Sequence, residues 1–457
     1  MNMKNHFLRL TCTLLLGSAT SVFCQSPFLH RFQSITSQAG GAILVTLTNS
    51  VSGLLRPYFD LYPIEVSSNL TGWEPLATLL RTNNSTAPVS FLDAAAATQP
   101  KGFYRTPTNQ LITPIPAPSG PYAVGTLTRL FTDPSRTNRY NIGTNSSFMV
   151  QFWYPAIRPT GVPPAAYIDP RIARNWAVTF SDPNPAALLA MFQSAVSHAI
   201  AQAPWATNQT QFPVVLFSHG YQCIRSYDTD VMEDLASYGF VTVAIDHFDA
   251  WVSVFADGRI VQGNAPPLPI TLAQNVFNLQ SRASDIRFVL DELARLNQED
   301  VFFKGRLDLD HIGMFGHSLG GAVTADACAG DSRLKAGLTL DGGGHTNLLG
   351  LHVTQPFLIA SGDDANSIMQ PYRKDFRSFF DQLTHDAYWL QITNSVHFDF
   401  VEWPWVGSAR PPAEIRTAMI LRRYAASFFN KYLRGQDDHF LDGPPAEFPE
   451  VDIFLQK

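Results

Sequence analysis

Three things are scarce in this chain. Charge is the first: Asp, Glu, Lys and Arg supply 15% of the 457 residues, where ~25% is usual for globular domains. The balance is slightly acidic, 32 Lys and Arg against 38 Asp and Glu, a net charge of −6, which argues against a nucleic-acid footprint and a polybasic lipid-binding surface. Cysteine is the second. Of four, Cys12 and Cys24 lie in or beside an N-terminal apolar segment. Cys223 and Cys328 make neither a disulfide framework nor a metal site and are expected as buried free thiols. Long apolar runs are the third: beyond the N-terminus no segment reaches the ~18 uninterrupted apolar residues of a membrane span. The 45% hydrophobic content, by contrast, is that of a globular chain and excludes disorder or a collagen-like repeat.

Lys4 and Arg9 precede an apolar stretch, Leu10 to Phe23, that ends near small residues. A basic start, a short apolar core and small residues near its end form the export-signal pattern. It predicts a signal peptide over 1–24, cut between Ala19 and Gln25, and a secreted or periplasmic protein. Phe23 stands where a lipoprotein site needs a small residue, so no lipid anchor is expected.

Residues 26–106 carry short β-like runs: Ile43–Thr48, Ile64–Ser67, Glu74–Leu80, Pro88–Leu92 and Phe103–Thr106. Turn residues separate them, which predicts a small β-sandwich. No ionisable cluster suggests chemistry there; the module reads as a spacer or as an attachment for another protein or a surface. Residues 107–121 hold Pro114, Pro116 and Pro118 between terminal prolines and read as a linker.

From 122 to 457 strands and helices alternate. Apolar runs at Phe148–Tyr154, Val214–Ser218, Phe240–Ile245, Ile312–Phe315, Leu334–Leu340, Phe357–Ala360 and Tyr388–Thr393 read as strands. Helical periodicity falls at Asp228–Ser237, Leu272–Leu296, Gly321–Ala329, Arg373–Leu383 and Ala413–Leu433. This alternation predicts an α/β fold, a doubly wound and mostly parallel sheet covered on both faces. Residues 163–206 interrupt it. They open with Pro163-Pro164, contain the apolar-periodic stretch Ala186–Ala201, and predict a helical cap over the site. Ligands of such sheets meet the carboxyl ends of the strands, where His219, Asp246, Ser318, Asp341 and His397 fall.

Gly316-His317-Ser318-Leu319-Gly320-Gly321 is a G-x-S-x-G sequence between an apolar strand and a helix. That context defines a nucleophile elbow, a strained strand-to-helix turn that exposes the serine Oγ. The backbone N–H after the nucleophile, Leu319, is then one oxyanion donor. A serine needs a positioned base, and in this fold the order is Ser, then Asp or Glu, then His. Five histidines follow the elbow: His345, His352, His385, His397 and His439. His397, just past the last predicted strand, is where the fold presents its base. For the acid, Asp341 ends one strand and Asp363 and Asp364 end the next; spacing does not decide between them. His219 and His247 read as structural or pocket-lining.

The segments PYAVGTLTRLF, MVQFWYPA, FPVVLFSHG, LASYGFVTVAIDH, DLDHIGMFGHSLGGA, AGLTLDGG and NSVHFDF run in that order through 122–430. In them the chain resembles the plasma and type II platelet-activating factor acetylhydrolases, which are serine-dependent α/β-hydrolases. The resemblance implies Ser318 as nucleophile, His397 as base and Asp341, rather than Asp363 or Asp364, as acid. It implies Tyr221 N–H as the second oxyanion donor. It also implies calcium-independent cleavage of short acyl esters, including phospholipid sn-2 acetyl, with no metal or organic cofactor. After Asp341 the sequence GGGHTN departs from the apolar continuation of the animal enzymes, and the leaving-group and lipid-tail contacts with it. The expected partners are a small ester or lipid and a transient lipid surface, with Trp403 and Trp405 near His397 as an interfacial anchor or pocket wall. Two other readings share the same residues. One is a polyesterase or cutinase-like enzyme; the other is a binding protein on a hydrolase scaffold without activity, against which the ordered Ser, Asp and His stand.

Overall fold

The computed structural model describes residues 30–38, 42–49, 60–67, 74–81, 89–93, 103–105, 115–137, 145–179, 192, 195, 197–263, 265, 270–342, 350–363, 377–402 and 412–457. The expected signal peptide over 1–24, Asp364, Trp403 and Trp405 lie outside them. No helix among the described residues is long and apolar enough to cross a membrane.

The chain divides into two compact units, Met1–Thr113 with Gly407–Pro412, and Pro114–Val406 with Ala413–Lys457. The first holds β1 (His30–Ser37), β2 (Ile43–Asn49), β3 (Asp60–Ser67), β4 (Glu74–Arg81), β5 (Val89–Asp93) and β6 (Phe103–Arg105). They form two three-stranded antiparallel sheets, ordered β1-β2-β5 and β4-β3-β6. Strand β1 has no counterpart among the runs read from the sequence.

The second unit is built on one sheet. Its strands are β7 (Ala123–Thr137), β8 (Asn145–Ala156), β9 (Ile200–Ala201), β10 (Phe212–Ser218), β11 (Val241–Ile245), β14 (Leu307–His317), β15 (Leu334–Leu340), β16 (Phe357–Gly362), β17 (Ala387–Ile392) and β18 (Val451–Gln456); a separate hairpin pairs β12 (Val252–Val254) with β13 (Ile260–Gln262). The order is β18-β17-β16-β15-β14-β10-β11-β8-β7-β9. The six strands from β17 to β11 are mutually parallel, and antiparallel β18 and β8 flank them. With helices on both faces this is the α/β-hydrolase architecture.

Burial on both faces explains the unbroken apolar runs. Along β10, Val214 and Leu216 enter one core while Val215 and Phe217 enter the other, the period of two that a strand requires. Five helices are used here: α1 (Pro170–Thr179), α2 (Thr229–Ser237), α3 (Leu272–Glu299), α4 (Leu319–Gly330) and α5 (Pro412–Arg434). Helices α3 and α4 supply Ile286, Val289 and Val323 to the first core, and α2 and α5 supply Leu235, Phe428 and Phe429 to the second. A capping box starts α3: Thr271 Oγ1 accepts from Gln274 N and Gln274 Oε1 from Thr271 N. Cys223 and Cys328 are free and buried.

Two local expectations differ from the structure. The proline-rich stretch is no loose linker over 115–120. Ile115 is buried, Arg422 donates to the Pro116 and Ala117 carbonyls at 3.0 and 2.7 Å, and Asp234 accepts from Ser119 N at 2.7 Å. Fixed proline backbones leave free carbonyls, and a buried arginine takes them. In the described part of 163–206, α1 and Phe192 are helical, whereas 197–199 are not and 200–201 form β9. The buried Glu233 carboxylate accepts from Ser197 Oγ, His198 N and Ala199 N, which holds this backbone in place before it joins β7.

Phe315 lies three residues before Ser318, wholly buried, 4.8 Å from the Phe217 ring and 6.4 Å from Phe429. Replacing it by alanine is expected to cost ~3–5 kcal/mol in urea unfolding. A loss under ~1 kcal/mol would mean that the core closes over the gap.

Candidate active site

Strand β14 ends at His317 and helix α4 begins at Leu319, so Ser318 alone makes the turn. Its backbone sits at φ 54° and ψ −120°, which an L-residue adopts only when its surroundings force it. Two glycines make the turn possible. A Cβ on Gly320 would lie 1.8 Å from the Ser218 carbonyl oxygen, and one on Gly316 2.3 Å from the Gly320 backbone. Ser318 N donates to Leu340 O at 3.1 Å and ties the turn to β15.

The residue after β15 is Asp341, also at positive φ (41°) and wholly buried. Its Oδ1 accepts from Gly362 N at 3.0 Å, and its Oδ2 faces His397 Nδ1 at 2.7 Å. A carboxylate there only accepts, so Nδ1 carries the ring proton and Nε2 offers its lone pair to Ser318 Oγ at 2.9 Å. His397 opens a short 3₁₀ turn, His397–Phe400. His317, inside the elbow motif, donates from Nε2 to the His397 carbonyl at 3.0 Å and stacks on its ring. Farther along, Glu402 Oε1 accepts from Thr229 N at 2.5 Å and Tyr167 Oη at 3.1 Å. Burial, with Asp230 and Asp228 nearby, holds the Glu402 carboxyl well above its usual range. The loop bearing His397 is thus fixed from both ends.

The other candidates lie elsewhere. Asp363 Oδ1 accepts from Gln391 Nε2 at 3.3 Å, and Oδ2 from Asn394 N at 3.4 Å. Asp246 accepts from Arg225 N at 2.8 Å and pairs with that guanidinium. Gly220 brings Tyr221 beside the nucleophile: a Cβ on Gly220 would meet Ser318 Cβ at 3.3 Å.

A second Ser–His–Asp set has its serine on the neighbouring strand, β10. Ser218 Oγ lies 3.0 Å from His247 Nε2, and His247 Nδ1 lies 2.9 Å from Asp285 Oδ2. The distances resemble those at Ser318, but Ser218 is wholly buried on β10 and Arg282 Nη1 donates to its Oγ at 3.3 Å. No substrate carbonyl reaches it. Next to it, His219 Nε2 accepts from the backbone N–H of His247 at 3.1 Å, and Nδ1–H donates to Gly220 O at 2.7 Å. Burial first, and then the Arg282 charge, hold the His219 pKa well below the usual histidine range. Burial lowers His247 too, against the opposing pull of Asp285. A cavity of about 510 Å³ opens at the carboxyl end of β11, lined by Arg136, Ser147, His247, Phe277 and Asp285 among others, and not by Ser318 or His397. Among the described residues, Asp437, His439 and Asp442 bring ligand atoms within 4.8 Å of one another, exposed on the surface.

Sequence reasoning missed three contributors: His317, Glu402 and Arg282. Arg282 had a visible signal. It shares the buried face of α3 with Leu279, Ile286 and Val289, where a charge needs a buried partner.

Comparison with known proteins finds similar ester hydrolases. The family described as "Platelet-activating factor acetylhydrolase, isoform II" matches residues 109–261. A probable 1-alkyl-2-acetylglycerophosphocholine esterase of Arthroderma benhamiae is 25% identical over 268 residues, 53% of this chain and 66% of its own length. The platelet-activating factor acetylhydrolase of Cavia porcellus is 24% identical over 375 residues, 72% of this chain and 80% of that one. Over these residues the chain is similar to the platelet-activating factor acetylhydrolase isoform II family. These likenesses place it among the ester hydrolases. A solved ferulic acid esterase from Streptomyces cinnamoneus superimposes with a TM-score of 0.62 at 28% identity, over 75% of this chain and 99% of that one. The family match ends at 261, ahead of Ser318, Asp341 and His397, so the roles of these three rest on geometry.

His219 is neutral when folded. In the unfolded chain it takes up a proton as pH falls through about 6.5, so its contribution is complete above that pH and lost below it, by about 1.4 kcal/mol per unit. In urea unfolding between about pH 7.5 and 5.5, the stability advantage of the wild type over His219→Gln is expected to shrink as pH falls. An advantage independent of pH would mean that the folded ring already carries the proton.

Proposed function

We propose that this chain is an exported serine carboxylic-ester hydrolase that cleaves short acyl esters through an acyl-serine intermediate. The observation that carries the reading is the continuous Asp341–His397–Ser318 hydrogen-bond series, with its serine on the strained turn. His397 Nε2 takes the Oγ proton as Oγ attacks the ester carbonyl, and Asp341 stabilises the imidazolium that forms. Leu319 and Tyr221 N–H groups face the oxyanion. The alcohol leaves with the proton from His397. Water, deprotonated by the same nitrogen, then releases the acid and restores Ser318.

The relatives' names support an acetyl ester of a glycerophospholipid as the substrate class, and the export pattern of 1–24 supports action outside the cytoplasm. Family and fold do not by themselves name an acyl chain. A panel graded by acyl length, spanning a phospholipid sn-2 acetyl ester, nitrophenyl esters, a feruloyl ester and a polyester film, reads the preference directly. Preference for the sn-2 acetyl ester supports the proposed class, and preference for the film would assign a polyesterase.

Ser318→Ala is expected to remain folded, to lose labelling by a fluorophosphonate and to fall to background on nitrophenyl acetate; undiminished turnover would end the reading. Asp341→Asn is expected to lower kcat by about 10⁴-fold, because an amide at that place favours the wrong histidine tautomer. A near-normal rate in that variant would move the acid to Asp363 or Asp364.

A further inference from the structure

Arg282 is wholly buried, and nothing in the acyl-transfer scheme uses it. Asp249, also wholly buried, clamps it in two places: Nε donates to Oδ1 at 2.9 Å and Nη2 to Oδ2 at 2.7 Å. An ion pair this deep is a poor device for stability, since well-packed apolar residues often do as well or better. What remains is what the guanidinium points at. Nη1 donates to the His219 carbonyl and Nη2 to the Gly220 carbonyl at 3.1 Å.

The Gly220 carbonyl is an unusual acceptor. It takes Arg282 Nη2, His219 Nδ1–H at 2.7 Å and Cys223 N–H at 3.1 Å. The last bond closes a tight turn over 220–223 with Gln222 at φ 53°. Three donors therefore fix one peptide plane. The Gly220 C=O and the Tyr221 N–H belong to that same planar unit and point in opposite directions. Fixing the carbonyl into the network behind it fixes the direction of the N–H as well, in a segment where Gly220 abuts Ser318. Donors on the carbonyl also draw electron density from the amide and make its N–H the stronger partner for a negative oxygen.

We infer that Arg282, oriented by Asp249, is a positioning residue for ester hydrolysis, holding the Gly220–Tyr221 peptide so that its N–H meets the oxyanion. The inference rests on the acyl-transfer reading of Ser318. The guanidinium fork suits the task where an ammonium does not: two nitrogens in one plane reach two successive carbonyls while the edge stays on Asp249.

The test uses the full-length protein in wild-type, Ser318→Ala, Arg282→Lys and Asp249→Asn forms, with thermal melts to establish folding. On nitrophenyl acetate, both network variants are expected to lose about 100-fold in kcat while KM stays within about twofold, as for removal of one oxyanion donor. Affinity for a trifluoromethyl ketone, which forms an oxyanion on Ser318, is expected to fall by a similar factor, and affinity for acetate, which forms none, to hold. Wild-type kcat in folded Arg282→Lys overturns the inference. So does a joint loss of ketone and acetate affinity, which marks general loosening. If Arg282→Lys does not fold, Asp249→Asn, which keeps the guanidinium but frees its orientation, decides by the same readouts. An active Ser318→Ala enzyme would instead overturn the acyl-transfer reading itself.

Discussion

Helix α4 passes β10 so closely that one methyl group at position 320 would occupy the space of the Ser218 carbonyl. That approach drives the chain through Ser318 in a single residue, at a backbone cost of order 1–3 kcal/mol. The strain is held by the sheet on either side, through Ser318 N to Leu340 O and through the packing of Phe315 between Phe217 and Phe429. It leaves Oγ half-exposed above the strand ends, within reach of a histidine from a turn nearly eighty residues later. Without the close approach there is no raised serine, and Asp341 and His397 have nothing to act on.

Ser218 shows what that constraint contributes. It has a histidine at 3.0 Å and an aspartate behind it, nearly the distances found at Ser318. It lies inside a strand, wholly buried, and its oxygen is already an acceptor for Arg282. Identical side chains at similar spacing thus become structure in one place and a candidate reaction centre in the other. The difference is backbone conformation and access, not the identity of the groups.

The polar groups around the site follow one logic. Arg282 with Asp249, Arg225 with Asp246 and His247 with Asp285 are buried in pairs, and these tie the 219–220 backbone and the 246–249 segment to α3 and the strands around them. Burial makes these groups costly unless every partner is met. In return the loops carrying Tyr221 and the 246–249 segment have few alternative positions. Glu402, its carboxyl held well above its usual range by burial, does the same below the His397 turn. Catalysis by pre-placed dipoles demands such rigidity, because a donor that must reorient during the reaction gives up much of its effect.

The local chemistry of the chain was legible without coordinates. Apolar runs such as Val214–Ser218 and Leu334–Leu340 are strands because both faces of a parallel sheet are covered. Gly316-His-Ser-Leu-Gly320 between strand and helix admits few other conformations. What depends on partners distant in sequence was not legible. Strand β18 at one edge and β7 beside the other are defined by pairing rather than by an apolar run, and Glu233 ties down 197–199 against their helical period. Spacing left Asp341, Asp363 and Asp364 open; the register of β15 against β16 brings Asp341 to His397 while Asp363 turns to Gln391 and Asn394. By itself the sequence determined the central strands with most of the helices beside them, and which serine stands on a forced turn, since these follow from periodicity and sterics over a few neighbours. Only the tertiary structure decided which acid meets His397, and that an arginine on the buried face of α3 ends on the Gly220 carbonyl, because hydrogen bonds between residues roughly sixty positions apart leave no trace in local pattern.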